Sequence, residues 1–367
     1  MRSVERFLKS VLLRIVTSVR SLFVSPPQQL SPDSIRKILI IRQHDQLGDL
    51  LLATPSIRAV RRRFPGAFVA VVVREYTAPV LEHNPHVDEV IVFYEKLWRW
   101  NLRRAARFYR QVRAGFDCAI VLNTISRSVT SDFIALLSGA RWIVGPDHLP
   151  MGGSGKEMIY NVPAHRSCEP LHEIARNLEV VSVLGAREND FEYDLVLTDK
   201  EVEQAEETFA ALGMASGERI VGVHFGALNP FKCFPLEKLA EVIDWIVERY
   251  GCEVLLITGP KELERREYLL SRLHHRVSTA PLMPLRVMAA LLRHCAILLC
   301  NDTGILHVAA SQRVPTVSFH SLSDPEIWKP PHDRHVAVRA SDARIESITV
   351  EQVEQAFTRL WSKVVET

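Results

Sequence analysis

A short polar turn in the last quarter of the chain has residue types suited to anion binding. This turn, Asn-Asp-Thr-Gly at residues 301–304, follows the apolar run 296–300 and precedes residues with helical character from Ile305. A helix that starts directly after a strand points unpaired backbone N–H groups, and the positive end of its dipole, at one spot. That spot suits a phosphate or diphosphate. The pattern therefore predicts an anion site at Thr303 and Gly304.

A carboxylate occupies the corresponding place near the other end of the chain. Asp49 follows Gly48, between an apolar stretch at 37–42 and a helical run at 50–63. A carboxylate in this place can accept the proton of an attacking hydroxyl, and such general base catalysis contributes typically ~10²–10⁴-fold. The alternative is that Asp49 only stabilises the first turn of the helix, and Asp45 is then the reserve candidate. Together with the anion site, the carboxylate suggests group transfer from an activated phosphate donor.

Composition narrows the class of protein. A chain of 367 residues with 47% hydrophobic content fits two globular domains. A net charge of +2 does not indicate a general nucleic-acid binder. The six cysteines are scattered, with no C-x-x-C and no zinc-ligand spacing, which is typical of a reducing compartment.

Short apolar strands alternate with amphipathic helices from Arg36 onward. Such alternation predicts parallel, doubly wound sheets with right-handed crossovers. We divide the chain into an N-terminal extension and linker (1–34), a first Rossmann-like domain (35–195) and a second Rossmann-like domain with a closing helix (196–367). Ligands bind outside the carboxyl ends of the strands in such sheets, so we expect both polar turns to face a cleft between the domains.

The first 24 residues are apolar and basic, with apolar positions at helical spacing. One interpretation is an extra helix packed on the first domain. The other is an amphipathic helix on an anionic inner membrane leaflet. The two interpretations stay open at this point.

Two motifs carry a family resemblance. The strand Lys37-Ile-Leu-Ile-Ile-Arg42 with the segment Gly48-Asp49-Leu-Leu-Leu-Ala-Thr-Pro55, together with the 301–304 turn and His307, resembles glycosyltransferase family 9, the heptosyltransferases of lipopolysaccharide core assembly. The resemblance implies an α/β GT-B fold of two Rossmann-like domains facing a central cleft. It also implies an ADP-heptose donor, inversion at the anomeric carbon, no cofactor beyond the nucleotide sugar, and no metal. The loop 43–47 is one residue longer than the common family pattern, which leaves open whether His44 or Asp45 faces the cleft.

The resemblance assigns roles to individual residues. It makes Asp49 the general base, Lys232 in the Lys-Cys-Phe-Pro segment a diphosphate contact, and Asp302 a partner of the donor sugar hydroxyls. The full donor-binding set that it implies is Lys232, Glu262, Met283, Asp302, Thr303, Gly304 and His307.

Three members of that set have open alternatives. Glu262 follows Gly259-Pro260 and is assigned to the ribose hydroxyls, with Glu264 as the alternative in the same turn. Met283 aligns with a position that packs on adenine, but a core methionine is the other interpretation. His307 is either a diphosphate or sugar contact or a core histidine bonded to backbone.

A basic, aromatic segment in the first domain suits an anionic acceptor. Predicted as one helix over 96–114, it contains Trp98 and Trp100 and the acceptor candidates Arg99, Arg103, Arg104 and Arg107. Arginine binds phosphates bidentately, and tryptophan favours the membrane–water interface. A solvated helix face is the alternative, and nucleic-acid binding is a weaker third interpretation.

The leading hypothesis is therefore an inverting glycosyltransferase that adds heptose or a related sugar to an anionic, lipid-linked saccharide. We expect it to be cytoplasmic and peripheral on the inner face of the cytoplasmic membrane, with no nucleic-acid partner. The runner-up is a nucleotide-sugar epimerase of GT-B architecture. A non-catalytic saccharide-binding protein is the third hypothesis.

Overall fold

The computed structural model describes residues 32–147, 159–165, 167, 169–214 and 219–364. The chain divides into two compact units, unit 1 ending at Asp194 and unit 2 beginning at Leu195. The amphipathic segment at residues 1–24 lies outside the described residues. Each unit has its own parallel sheet, flanked by helices.

Unit 1 contains a six-stranded parallel sheet with the strand order β3-β2-β1-β4-β5-β6. Its strands are β1 (Lys37–Ile41), β2 (Phe68–Arg74), β3 (Glu89–Phe93), β4 (Cys118–Val121), β5 (Trp142–Pro146) and β6 (Val162–Ala164). The central strands are buried and rich in valine and isoleucine, as expected of parallel strands covered on both faces.

The helices of unit 1 are α1 (Leu47–Arg63), α2 (Leu102–Val112), α3 (Val129–Ser138) and α4 (Glu173–Ser182). The prediction of one helix over 96–114 is wrong. The chain makes a 3₁₀ turn at Leu97–Arg99, and α2 then starts after Asn101. The Asn101 side chain accepts the N–H of Arg104 at 2.9 Å, so a local capping bond sets the start of the helix.

Unit 2 contains a second six-stranded parallel sheet, with the order β12-β11-β10-β7-β8-β9. Its strands are β7 (Ile220–His224), β8 (Glu253–Leu256), β9 (Ser278–Thr279), β10 (Ile297–Asn301), β11 (Thr316–His320) and β12 (His335–Arg339). Numbered within each unit, both sheets follow the order 3-2-1-4-5-6 of the Rossmann fold. The strands β6, β9 and β12 were not predicted from the sequence. Of these, β6 is three residues long and β9 is two residues long.

The helices of unit 2 are α5 (Asp199–Ala211), α6 (Leu236–Tyr250), α7 (Leu263–Leu270), α8 (Leu285–Leu292), α9 (Gly304–Ser311), α10 (Pro325–Trp328) and α11 (Val350–Val364). The closing helix α11 buries Phe357 and Trp361 in the same core as the strands. Among the residues that the structure describes, none of the helices has the length and apolar character needed to cross a membrane.

Candidate active site

Asp49 lies in the first turn of α1, next to the carboxyl end of β1. Its carboxylate accepts the backbone N–H of Gln46 at 3.0 Å, so it does stabilise the helix start. The side chain is nevertheless only half-buried, and an ionised carboxylate has lone pairs left for a further donor. Capping and catalysis therefore do not exclude each other at this residue.

Arg42 holds the loop that carries Asp49. This buried guanidinium donates to the main-chain oxygen of Asp49 at 2.9 Å and to the Asn177 side chain at 3.0 Å. It also donates to the main-chain oxygen of Leu122 and pairs with Asp45. Because one rigid, always charged group makes all these bonds, the loop and the start of α1 are fixed to β4 and α4.

In the loop 43–47, one of the two candidate side chains is buried and the other is exposed. Asp45 is buried against Arg42, whereas His44 is exposed. Burial raises the pKa of Asp45 to about 7, and the Arg42 charge acts in the opposite direction. Since Arg42 occupies the Asp45 carboxylate, Asp49 is the better placed of the two for contact with a substrate.

In unit 2 an ion pair joins two of the predicted donor-binding residues. Lys232 Nζ lies 2.6 Å from Asp302 Oδ2, and Ser323 donates to the same oxygen at 2.5 Å. Lys232 ends a 3₁₀ turn (Pro230–Lys232) after β7, and Asp302 follows β10. Two loops at the carboxyl edge of the sheet thus bring a cation and an anion together.

The environment keeps the Asp302 carboxylate ionised. Burial alone raises the pKa of Asp302, but neighbouring His320 and Lys232 and the Ser323 hydroxyl hold it below its usual range. His320 is itself buried, and burial lowers its pKa to about 4. The site therefore pairs Lys232 with an ionised Asp302, beside a histidine that is neutral at pH 7.

Asn301, the last residue of β10, holds the loop that carries Lys232. Its side-chain amide donates to the main-chain oxygen of Phe225 at 2.8 Å, and its side-chain oxygen accepts the N–H of Phe234 at 2.9 Å. These bonds tie the loops that follow β7 to the end of β10. Lys232, which lies between Phe225 and Phe234 in the sequence, is thereby held near Asp302.

The anion site predicted at Thr303 and Gly304 has the expected backbone. Thr303 is the extended residue before α9, and Gly304 is the first helical residue. Both residues are only partly buried. Because Asp302 directly precedes Thr303 and pairs with Lys232, the positive end of the α9 dipole lies beside these two residues. The structure therefore brings together four of the predicted donor-binding residues.

Glu262 fits into space that a glycine leaves open. Its carboxylate accepts the N–H of Gly259 at 2.7 Å and lies 3.6 Å from His224 Nε2. A Cβ added to Gly226 would lie 1.5 Å from Glu262 Oε1, so no residue with a side chain fits there without moving Glu262. Burial lowers the pKa of His224, although the Glu262 charge opposes this shift.

Two further donor-site predictions receive no direct support. Met283 is half-buried just before Pro284, which precedes α8. His307 lies in the buried part of α9 with an exposed fraction of 4%, which fits the core alternative. Their contacts with adenine and with the donor phosphates stay predictions.

The four acceptor candidates divide into two kinds. Arg99 pairs with Glu75, and Arg104 donates to the main-chain oxygen of Arg99 at 2.6 Å and stacks on Tyr94 at 4.7 Å. These two arginines support the local fold. Arg103 and Arg107 are exposed on α2 and offer their guanidinium groups to solvent.

Several residues that build these sites were not among those predicted from the sequence. Three of these residues lie at the end of a strand or directly after it: Arg42, His224 and His320. A fourth, Ser323, lies three residues after His320. The sequence signal that could have identified them is a polar residue at the end of a buried apolar strand, because ligands of parallel sheets bind at the carboxyl ends of the strands. Their partners, such as Asn177 for Arg42, are distant in sequence and gave no signal.

Among the residues that the structure describes, no group of three or more histidine, cysteine, aspartate or glutamate side chains is placed to bind a metal ion. Lys232 supplies a cationic group beside Asp302, at the edge where the diphosphate is predicted to bind. Its ammonium and the N-terminal amides of α9 are the groups here with the charge to bind a diphosphate.

Comparison with known proteins gives a consistent family. Residues 105–356 match the family model of glycosyltransferase family 9 (heptosyltransferase). Lipopolysaccharide heptosyltransferase 3 of Escherichia coli K12 is 24% identical over 298 residues, covering 77% of this chain and 82% of its own. Lipopolysaccharide heptosyltransferase 2 of the same organism is 24% identical over 312 residues, covering 80% and 85%.

Solved structures confirm the predicted fold. A glycosyltransferase family 9 protein from Veillonella parvula superposes with a TM-score of 0.78 at 22% identity, over 94% of this chain and all of that chain. Escherichia coli heptosyltransferase WaaC, solved with ADP, has a TM-score of 0.71 at 21% identity, over 88% and 99%. The α/β GT-B assignment and the family resemblance are both confirmed. This chain belongs to glycosyltransferase family 9, the heptosyltransferase family, and is a glycosyltransferase.

Proposed function

We propose that this protein is an inverting, metal-independent glycosyltransferase that moves heptose, or a related sugar, from an ADP-sugar to a lipopolysaccharide-core or similar lipid-linked saccharide. The observation that carries the proposal is the Lys232–Asp302 pair beside the N-terminus of α9, in a chain of the heptosyltransferase family. It combines a cation for a diphosphate with a carboxylate for sugar hydroxyls.

Unit 2 would hold the donor. The N-terminal amides of α9 and the Lys232 ammonium would stabilise the charge that develops on the leaving nucleoside diphosphate. Asp302 would accept hydrogen bonds from the hydroxyls of the donor sugar. Glu262 would accept those of the ribose, and Met283 would pack on the adenine. The relatives solved with ADP and with an ADP-heptose analogue support this nucleotide.

Unit 1 would provide the base. The carboxylate of Asp49 takes the proton of the acceptor hydroxyl while its oxygen attacks the anomeric carbon of the donor sugar. The bond between that carbon and the diphosphate oxygen breaks as the new glycosidic bond forms, so the configuration inverts. Arg42 supports this step because it fixes the main chain at Asp49.

The acceptor would be anionic and bound to the inner face of the cytoplasmic membrane. Arg103 and Arg107 offer exposed guanidinium groups for its phosphates, and Arg99 and Arg104 flank them. The names of the curated relatives, which refer to lipopolysaccharide, support this acceptor class. Family membership favours sugar transfer over the epimerase and the non-catalytic binding protein.

A donor screen tests the proposal. Purified protein is incubated with ADP-, UDP- and GDP-sugars and a detergent-solubilised core saccharide, with and without EDTA, and release of the nucleoside diphosphate is followed. We expect release from ADP-heptose that requires acceptor and survives EDTA. The Asp49→Asn variant should lose at least ~10²-fold in turnover while binding the donor as wild type does. Unchanged turnover in that variant contradicts the assignment of the base, and conversion of the sugar without acceptor would support an epimerase.

A further inference from the structure

Three bulky apolar side chains stand in solvent within six residues of unit 1. Leu97, Trp98 and Leu102 have exposed fractions of 89%, 67% and 90%. Single exposed apolar residues are ordinary on protein surfaces, but a contiguous group marks an interaction site. Together with Arg103 and Arg107, these three residues are called the Trp98 surface below.

The exposure of Trp98 is not a result of loose local structure. Trp100, two residues further on, packs edge-on against Phe93 at 5.6 Å and Phe108 at 5.4 Å. Its indole N–H donates to the main-chain oxygen of Tyr94 at 2.6 Å. One tryptophan, partly buried, thus packs against the core of unit 1, whereas the other is exposed.

The charge along the segment that carries this surface is mainly positive, although Glu75 pairs with Arg99 beside it. Residues 96–113 include seven lysines or arginines and no aspartate or glutamate. Arg103, Arg107 and Arg110 follow one another at i, i+4 and i+7, so they share one face of α2. The partner must therefore be anionic and also accept exposed leucine and indole side chains.

An anionic bilayer surface meets both requirements. Tryptophan is favoured at the depth of the lipid headgroups, leucine reaches the acyl boundary, and arginine pairs with lipid phosphates. A nucleic acid would account for the arginines but would leave Leu97 and Leu102 without a partner.

A chain of contacts within unit 1 links this surface to Asp49. Arg99 pairs with Glu75. The next residue, Tyr76, donates its hydroxyl to the side chain of Gln46, and the main-chain N–H of Gln46 donates to Asp49. The segment that carries the Trp98 surface is thus connected, through Arg99, to the loop that carries the proposed base.

We infer that the Trp98 surface docks unit 1 onto an anionic lipid bilayer, with Leu97, Trp98 and Leu102 inserted among the headgroups and Arg103 and Arg107 on the lipid phosphates. The docked surface would present a lipid-linked acceptor to Asp49. This second role rests on the proposed function, whereas docking itself is measured without any sugar.

The test uses the full chain and vesicles of phosphatidylcholine with and without phosphatidylglycerol. Wild type should sediment with the anionic vesicles only. Replacing Leu97, Trp98 and Leu102 by serine together, or Arg103→Glu with Arg107→Glu, should each weaken sedimentation at least tenfold. Controls are Leu228→Ser with Leu322→Ser, and Arg249→Glu with Arg359→Glu, which alter exposed residues of unit 2; both should bind as wild type.

Quenching by brominated lipid separates this surface from any other membrane-binding segment. The quenched part of the tryptophan emission should disappear in Trp98→Phe. Binding without that Trp98 signal, no binding to anionic vesicles, or binding to mixed-sequence RNA instead of vesicles would each overturn the inference. The triple serine variant should keep wild-type turnover on a soluble acceptor. If the wild type and the triple serine variant both lack turnover on the soluble acceptor, the proposed function is wrong, whatever the docking measurement shows.

Discussion

Lys232 Nζ lies 2.6 Å from Asp302 Oδ2, so two groups from loops 70 residues apart neutralise each other at the edge of the second sheet. The aspartate is buried and the lysine is partly exposed. Removal of the lysine would leave a buried carboxylate that keeps the Ser323 hydroxyl as a donor but loses its neighbouring positive charge, since His320 is neutral at pH 7. The pair therefore links the stability of unit 2 to the residues assigned to the donor.

We expect Lys232→Met to lower the free energy of unfolding at pH 7 by about 1–3 kcal/mol, the usual cost of a buried polar group that loses its partner. Asp302→Asn in the same background should restore part of that loss, because no charge is then left unpaired. Urea unfolding of the wild type, the two single variants and the double variant gives the coupling energy. Additive effects would contradict the proposed contribution of the pair to stability.

The stability of unit 2 should fall as the pH decreases from about 6.5 to about 4. Burial lowers the pKa of His320 to about 4, so between these values the unfolded chain binds a proton that the folded chain does not. Unfolding therefore becomes more favourable as the pH falls, by about 3 kcal/mol for this residue over the full range.

His320→Gln removes this titration and should make the decrease in stability shallower. Some slope should remain, because burial lowers the pKa of His335 to about 2 and acts with the same sign. Denaturant unfolding at several pH values between 4 and 7 measures both slopes. Parallel curves for the variant and the wild type would refute the role of His320.

Gly226→Ala should disturb the donor site through Glu262. The added Cβ would lie 1.5 Å from Glu262 Oε1 and force that side chain away from its present position. If Glu262 binds the ribose, the KM for the donor rises at least several-fold while kcat changes less.

Gly259→Ala is the matched control for that change. Its Cβ would lie 3.5 Å from Glu262 Oε2, an ordinary van der Waals distance. Steady-state kinetics of the two alanine variants should therefore differ, with Gly259→Ala close to wild type in its donor KM. Equal effects from both substitutions would argue that Glu262 has no part in donor binding.

Two substitutions at Asp49 separate helix capping from chemistry. Asparagine keeps an oxygen that can accept the N–H of Gln46, whereas alanine does not. Asp49→Ala should therefore be less stable than Asp49→Asn, by about 0.5–1.5 kcal/mol, the usual net contribution of one hydrogen bond, although both variants lose turnover. Thermal unfolding and turnover of the two proteins measure the two roles, and equal stability would show that the cap contributes little.

Much of the architecture was accessible from the sequence. Buried strands such as β1 and β10 consist largely of isoleucine and leucine, because parallel strands are covered on both faces. Their alternation with amphipathic helices predicted doubly wound sheets. The segments around Asp49 and Asp302 could be located because functional residues of such sheets follow the carboxyl ends of strands.

The exact bounds of some helices and the existence of short strands could not be predicted from hydrophobic periodicity, because they depend on individual hydrogen bonds. The helix predicted over 96–114 is interrupted because Asn101 caps a later start. The strand β9 pairs over two residues only, too few for a period-2 pattern. Such elements exist because a neighbouring strand or a capping bond is available in the folded unit.

The sequence by itself determined the fold class, the family resemblance and the residue types suited to transfer chemistry. Only the tertiary structure decided that Arg42 fixes Asp49, that Lys232 pairs with Asp302, and that Gly226 makes room for Glu262. It also decided that Trp98 is exposed while Trp100 packs against the core. Hydrophobic periodicity is a local property of the chain and can be read along it. Ion pairs, close approaches and exposure arise between residues far apart in sequence, and they are set when the strands take their order in the sheet.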